Sequence, residues 1–145
     1  MKLLYIFGPN LNLLGTREPT WYGTRTFEWI CETIKREGAK KGVDISIVQS
    51  NHEGEIVDQI QAARENVHGI VINPGAYTHY SLAIRDALGA VNIKTIEVHM
   101  SNIYQREEFR HRSVIAPVCA GQISGLGWIG YLLAMEAFLI GKETP

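Results

Sequence analysis

Apolar residues along this chain come in short runs, separated by longer stretches with a helical period. Residues 3–7, 44–48, 69–73, 95–99 and 118–123 are near-continuous and rich in Ile and Val, the pattern of strands covered on both faces. Residues 26–41, 55–66, 79–88 and 125–140 instead repeat their apolar positions at three and four, which predicts helices. In the first of these, Phe27, Ile30, Ile34 and Ala39, with Cys31, fall roughly on one stripe, and Gly42 stands where a helix stops. Thr78 is placed to cap the third helix and Gly89 to end it. Strand–helix alternation with short connections implies right-handed βαβ units and one parallel sheet. The expected fold is α/β, a flavodoxin-like three-layer sandwich around a five-stranded parallel sheet, with residues 1–145 as a single domain.

In that architecture ligands bind outside the carboxyl ends of the strands, and the polar residues of this chain gather there. The first strand runs into Gly8-Pro9-Asn10-Leu11-Asn12, the third into Asn73-Pro74-Gly75-Ala76-Tyr77-Thr78-His79, and the fourth into Met100-Ser101-Asn102. One connection, from Gly8 to about Thr24, is anomalously long and brackets Arg17, Glu18 and Tyr22 between Gly15 and Gly23. Loops of that length in compact domains serve as lids or binding loops.

Composition narrows the field. An apolar share of 46% and a charged share of 20% over 145 residues suit one soluble globular domain. The net charge of −1, with no long Lys/Arg run, argues against a nucleic-acid partner. The apolar N-terminal run is too short for a signal-peptide core, and the stretch 126–140 is short of a membrane span and interrupted by Glu136. A cytoplasmic protein without membrane association is expected. Cys31 and Cys119 then read as free thiols, one mid-helix and one mid-strand, neither placed as a nucleophile.

Two groups have chemical potential. A tyrosine is a poor base near neutrality unless its phenolate is stabilised, and Arg17, five residues before Tyr22, is a permanent charge on the same loop. The competing reading is a surface loop with an exposed arginine and a packed aromatic. Glu97 and His99, two apart on a strand, share a face. A carboxylate there orients the imidazole and favours its protonated form, which suits an acid or base; a buried histidine satisfied by its neighbour is the plain alternative. Ser101 either joins a carboxylate cradle with backbone N–H groups past the strand end or caps the turn that follows. His79 and Asp86 stand two helical turns apart on one side; His79 faces the strand-end crevice, while Asp86 lies deeper along the helix, where pairing with Arg85 or a neighbouring subunit is the alternative. The run from Arg106 to Arg112 is nearly balanced in charge and reads mainly as a solvated face, with one Arg reaching a ligand as the lesser alternative.

Other chemistries are disfavoured. Gly125-Leu126-Gly127-Trp128-Ile129-Gly130 has the G-x-G-x-x-G spacing but no following strand or ribose-binding acid, and its glycines suit close helix packing. No residues stand at zinc spacing, and no cofactor is expected. Lys2 and Lys94 begin strands, at the wrong end of the sheet. Lys35, Lys40, Lys41 and Lys142 lie on or after helices, so a Schiff base has no obvious lysine.

Taken together, these blocks resemble the type II dehydroquinases. The resemblance rests on Gly8-Pro9-Asn10-Leu11-Asn12-Leu13-Leu14-Gly15, on Arg17-Glu18-Pro19 and on Tyr22-Gly23. It continues through Gln49-Ser50-Asn51-His52-Glu53-Gly54-Glu55, Asn73 to His79, Arg85-Asp86-Ala87 and Glu97-Val98-His99, then Arg106-Glu107-Glu108-Phe109-Arg110 and Gly125-Leu126-Gly127. It implies a catalytic domain that dehydrates 3-dehydroquinate to 3-dehydroshikimate, on the shikimate route to chorismate and aromatic amino acids. The implied route passes through an enolate, without metal or imine. By resemblance Tyr22 is the base for the C2 proton, Arg17 favours its phenolate, and His99, oriented by Glu97, protonates the leaving C1 hydroxyl. Asn10 positions a water facing the enolate oxygen. Asn73, His79, Asp86, Met100, Ser101 and Arg110 form the substrate-binding set, with residues 100 and 101 on the carboxylate. The resemblance also implies a homododecamer built from trimers, with Asp86 acting across a subunit boundary. Trp21 departs from the family pattern, standing where smaller residues are common.

Two rivals remain on the sequence alone. A flavodoxin-like binding module for flavin or a phosphorylated effector explains the fold but not the Tyr/Arg loop, and a flavin absorbance band identifies it. A lyase or isomerase acting on another small hydroxy-ketone acid uses the same base and acid, and only a substrate panel separates it.

Overall fold

The computed structural model describes residues 1–141, so Lys142 lies outside the described residues. Five strands, β1 (Lys2–Phe7), β2 (Asp44–Gln49), β3 (Gly69–Asn73), β4 (Thr95–His99) and β5 (Gly121–Ser124), form one sheet in the order β2-β1-β3-β4-β5. Every pairing is parallel, giving the flavodoxin-like arrangement expected. The helices are α1 (Pro19–Tyr22), α2 (Phe27–Lys40), α3 (Glu53–Ala62), α4 (Leu82–Val91) and α5 (Ile129–Ile140).

Side-chain alternation along the strands builds two cores. Leu3, Tyr5 and Phe7 of β1, Val71 of β3, and Ile96 and Val98 of β4 pack with Ile30 and Ile34 of α2 and Tyr131, Ala134, Met135 and Phe138 of α5. The intervening Leu4, Ile6, Ile70 and Ile72 pack with Ile56 and Ile60 of α3 and Ile84, Leu88 and Val91 of α4. With Ile96 and Val98 committed to the α2/α5 side, Glu97 and His99 must face the other. At the strand ends β1 and β3 come very close: a Cβ on Gly8 meets the Pro74 carbonyl oxygen at 2.4 Å, so only glycine fits.

Several local expectations shift. The buried stripe of α2 is Ile30, Thr33, Ile34 and Gly38, and Ala39 is exposed. Thr26 caps this helix by accepting from the Trp29 N–H. The third predicted helix starts later and ends later than its signals suggested. Ser81, not Thr78, caps α4 by accepting from the Ile84 N–H; Gly89 lies inside the helix, and Asn92, with φ 53°, ends it. His79 belongs to the preceding 3₁₀ segment Gly75–His79. The last strand begins at Gly121, after a 3₁₀ turn Ala116–Val118 closed by Cys119, so Cys119 is not mid-strand. The glycines at 125–130 divide their duties. Gly125 and Gly127 take positive φ (90° and 59°), and Gly130 permits close packing on Val98 and Ile123. No helix among the described residues is long and apolar enough to cross a membrane.

Candidate active site

The long connection after β1 folds as two pieces, the 3₁₀ turn Leu11–Leu13 and the single-turn helix α1, over the carboxyl end of the sheet. Glu18 caps α1 with φ 34°, a left-handed conformation that costs a non-glycine residue energy. Tyr22 ends α1 and projects into a cleft with Arg17. The Arg17 guanidinium lies over the Tyr22 ring, 4.5 Å from its centroid. The phenolic oxygen meets a different residue: Arg106 Nη1 donates to Tyr22 Oη at 2.7 Å.

Sequence reasoning missed Arg106, because a charged run with nearly balanced sign looks solvated. In the fold its side chain is only 6% exposed. Its guanidinium sits 4.9 Å from the Trp21 ring centroid and 5.3 Å from that of Tyr22, and its Nε has no hydrogen-bond partner among the described residues. A desolvated guanidinium stabilises negative charge on an oxygen it touches far more than an exposed one does. Arg106→Met should therefore lower kcat by roughly 10- to 100-fold, the value of one hydrogen bond to a charged group. Steady-state kinetics on a folded variant checks this; wild-type kcat would leave the contact without a catalytic role.

Glu97 is fully buried and His99 nearly so. His99 Nε2–H donates to Glu97 Oε1 at 2.8 Å, the direction required by an ionised carboxylate that can only accept. Burial pushes the Glu97 carboxyl up, but the hydrogen bond and charge of His99, with donors Thr78 and Gln122, outweigh it and hold it below its ordinary value. Thr78 thus donates to Glu97, which explains why it does not cap α4. His79 lies beside His99, the rings stacked at 6.5 Å, and its Nδ1–H donates to the Arg112 carbonyl at 2.8 Å. Burial, together with the neighbouring His99 and Arg110 charges, lowers the His79 pKa despite that bond. A neutral His79 presents Nε2 as an acceptor.

The cleft brings together most of the residues singled out from the sequence. Asn10, Arg17, Tyr22, Asn73, His79, His99, Met100, Ser101 and Arg110 all line it, with Arg106 added. Glu97 stands behind His99 and does not reach the cleft surface. Asp86 is exposed on α4 and lies outside the cleft of its own chain. Asn10 is held with φ 68°, its N–H donating to Asn51 Oδ1 at 3.0 Å. Asn73 is spanned by its own structural bonds, to the Tyr131 hydroxyl at 2.8 Å and from the Gly75 N–H at 3.1 Å. Ser101 does not cap the following turn, since Asn102 does. No lysine lines the cleft among the described residues. Burial raises the Cys31 thiol to about 11 and the Cys119 thiol to about 12, so both stay protonated near neutrality.

Comparison with known proteins gives the family of the chain. Residues 1–139 match the family model described as "Dehydroquinase class II". The 3-dehydroquinate dehydratase of Clostridium beijerinckii is 56% identical over 145 residues, 99% of each chain. That of Caldicellulosiruptor bescii is 58% identical over 94% of each. A crystal structure of a type II dehydroquinase from Butyrivibrio crossotus superposes with a TM-score of 0.95 at 55% identity, covering 96% of this chain and 97% of the other. With a cleft at the sheet's carboxyl end and this likeness over nearly its whole length, the chain belongs to the class II dehydroquinase family.

Proposed function

We propose that this dehydroquinase, a hydro-lyase, removes water from 3-dehydroquinate through an enolate, without metal or imine, yielding 3-dehydroshikimate on the route to chorismate. Tyr22 as phenolate takes the C2 proton, the electron pair moving onto the C3 ketone oxygen. The enolate then collapses as the C1 hydroxyl leaves, protonated by His99. The observation that carries this reading is the guanidinium of Arg106 on the Tyr22 hydroxyl, in the same cleft as the Glu97–His99 pair. Arg17, across the ring face, adds a second positive charge near the base.

The remaining residues divide by chemistry. Asn10 positions a water facing the developing enolate oxygen. The backbone of Met100, with the hydroxyl and backbone of Ser101, receives the substrate carboxylate at the end of β4. Asn73, His79 and Arg110 hold ring hydroxyls, neutral His79 accepting through Nε2. Asp86, on the outside of its own chain, acts in a neighbouring subunit's site. The proposed assembly is a homododecamer built from trimers, and the exposed apolar side chains of Ile129, Leu133 and Ile140 on α5 are in keeping with association. Free thiols at Cys31 and Cys119 accord with a cytoplasmic enzyme. Residues 1–145 act as one catalytic domain.

Enone absorbance, followed on adding 3-dehydroquinate to chelator-treated enzyme and again after borohydride treatment with substrate present, tests the route. Activity should survive both treatments. Loss on chelation would point to a metal, and loss after borohydride to an imine.

A further inference from the structure

We propose that Gln122 is a positioning residue for the elimination step, acting through Glu97 on His99; this rests on His99 being the acid. Gln122 lies on β5 directly opposite Glu97 in the parallel register, as Ser124 lies opposite His99. Register partners on adjacent strands point to the same face. Gln122 Nε2 donates to Glu97 Oε2 at 2.8 Å, the carboxylate oxygen that His99 does not use.

The surroundings make this donor hard to replace. Glu97 is fully buried, so no bulk water reaches it. Its oxygens receive only four side chains among the described residues: Thr78, His99, Ser113 and Gln122. Ser113 Oγ is 2.8 and 3.0 Å from the two oxygens, so its single hydrogen is shared. That same oxygen accepts from the N–H groups of Ile115 and Ala116 at 3.1 and 2.9 Å, which fixes its direction. Gln122 is thus the one donor committed to Oε2 alone.

The consequence concerns where a proton resides. A buried carboxylate with too few donors gains proton affinity. The proton shared across the 2.8 Å Glu97–His99 bond then shifts toward Glu97, leaving a neutral imidazole whose remaining N–H is far too weak an acid to protonate the leaving hydroxyl. Gln122 keeps the charge on Glu97 and so keeps the proton on His99. C2 proton removal by Tyr22 involves neither group and is untouched.

Two variants and one control test this. Gln122→Met keeps length and removes the donor; it should lower kcat for water loss about tenfold, the value of a charge-assisted hydrogen bond. KM and the rate of C2 hydrogen exchange with solvent deuterium should stay near wild type. Gln122→Glu should approach wild-type turnover at low pH, where the introduced carboxyl is protonated and donates. It should fall below the Met variant as pH rises and two carboxylates face each other. A merely structural residue would not produce that crossing. Wild-type kcat in Gln122→Met, a parallel loss of exchange and elimination, or no crossing in Gln122→Glu each overturns the proposal. The control is His99→Ala. Slow water loss with exchange retained supports His99 as the acid, so a failure at Gln122 would then count against Gln122 alone, whereas unimpaired elimination in the control removes the reading beneath it.

Discussion

Tyr22→Phe should lower turnover by about 100- to 10,000-fold, the contribution of a positioned base, because the cleft offers no second group at that place. The substitution removes one oxygen. The ring keeps its contacts with the Arg17 guanidinium, 4.5 Å from its centroid, and that of Arg106, at 5.3 Å, so α1 should keep its place. Arg106 loses the acceptor at 2.7 Å, a stability change on the order of 1 kcal/mol. Exchange of the C2 hydrogen with solvent deuterium should vanish together with enone formation, since both need the same proton removed. A variant that still exchanges C2 hydrogen at the wild-type rate removes Tyr22 from its role. Melting curves beside the kinetics separate chemistry from unfolding.

Glu97→Gln should damage stability and activity together. An amide in place of the carboxylate turns one acceptor into a donor that faces Gln122 Nε2 or His99 Nε2, both at 2.8 Å. Leaving buried donors without acceptors, after breaking a buried charged pair, costs on the order of 3 kcal/mol. That corresponds to a fall in Tm of roughly 10 °C for a chain of this size. Water loss should drop about 100-fold or more, because His99 loses the anion that holds its proton. The pH dependence carries its own sign. Burial raises the Glu97 carboxyl, yet His99, Thr78 and Gln122 hold it below the ordinary 4.5. A carboxyl whose folded value is depressed contributes its stability in full above the unfolded value, and that contribution disappears as pH falls through the folded one. Wild-type urea midpoints should thus decline more steeply below about pH 4.5 than those of the variant. Parallel slopes would show that the fold does not hold the Glu97 carboxyl below its ordinary value.

The fold was largely legible where the signal was local and repeated. The Ile/Val runs at β3 and β4 have the expected bounds, and the helix expected over 26–41 is α2, Phe27–Lys40. Legibility failed where a distant partner outbid a local preference. Thr78 has the cap side chain, but the buried carboxylate of Glu97 claims its hydroxyl, and Ser81 takes the cap three residues later. Gly89 has no Cβ contact within 4 Å and is simply carried through the helix, because packing of Leu88 and Val91 outweighs its own tendency to end one. Cys119 was misplaced because Pro117 lets the segment tighten into a 3₁₀ turn before β5 begins.

The site divides along the same line. Sequence alone determined which groups were available: Tyr22 and Arg17 on one loop, and Glu97 with His99 on one face of a strand, since a period of two is a property of the backbone. Tertiary structure decided which atoms meet. It brought Arg106, 84 residues further along the chain, onto the Tyr22 oxygen, and set Arg17 over the ring instead. It placed Gln122 opposite Glu97 through the β4–β5 register and left Asp86 outside its own cleft. No local pattern encodes such meetings, because a hydrogen bond depends on distances of tenths of an ångström set by how five strands and their covering helices pack.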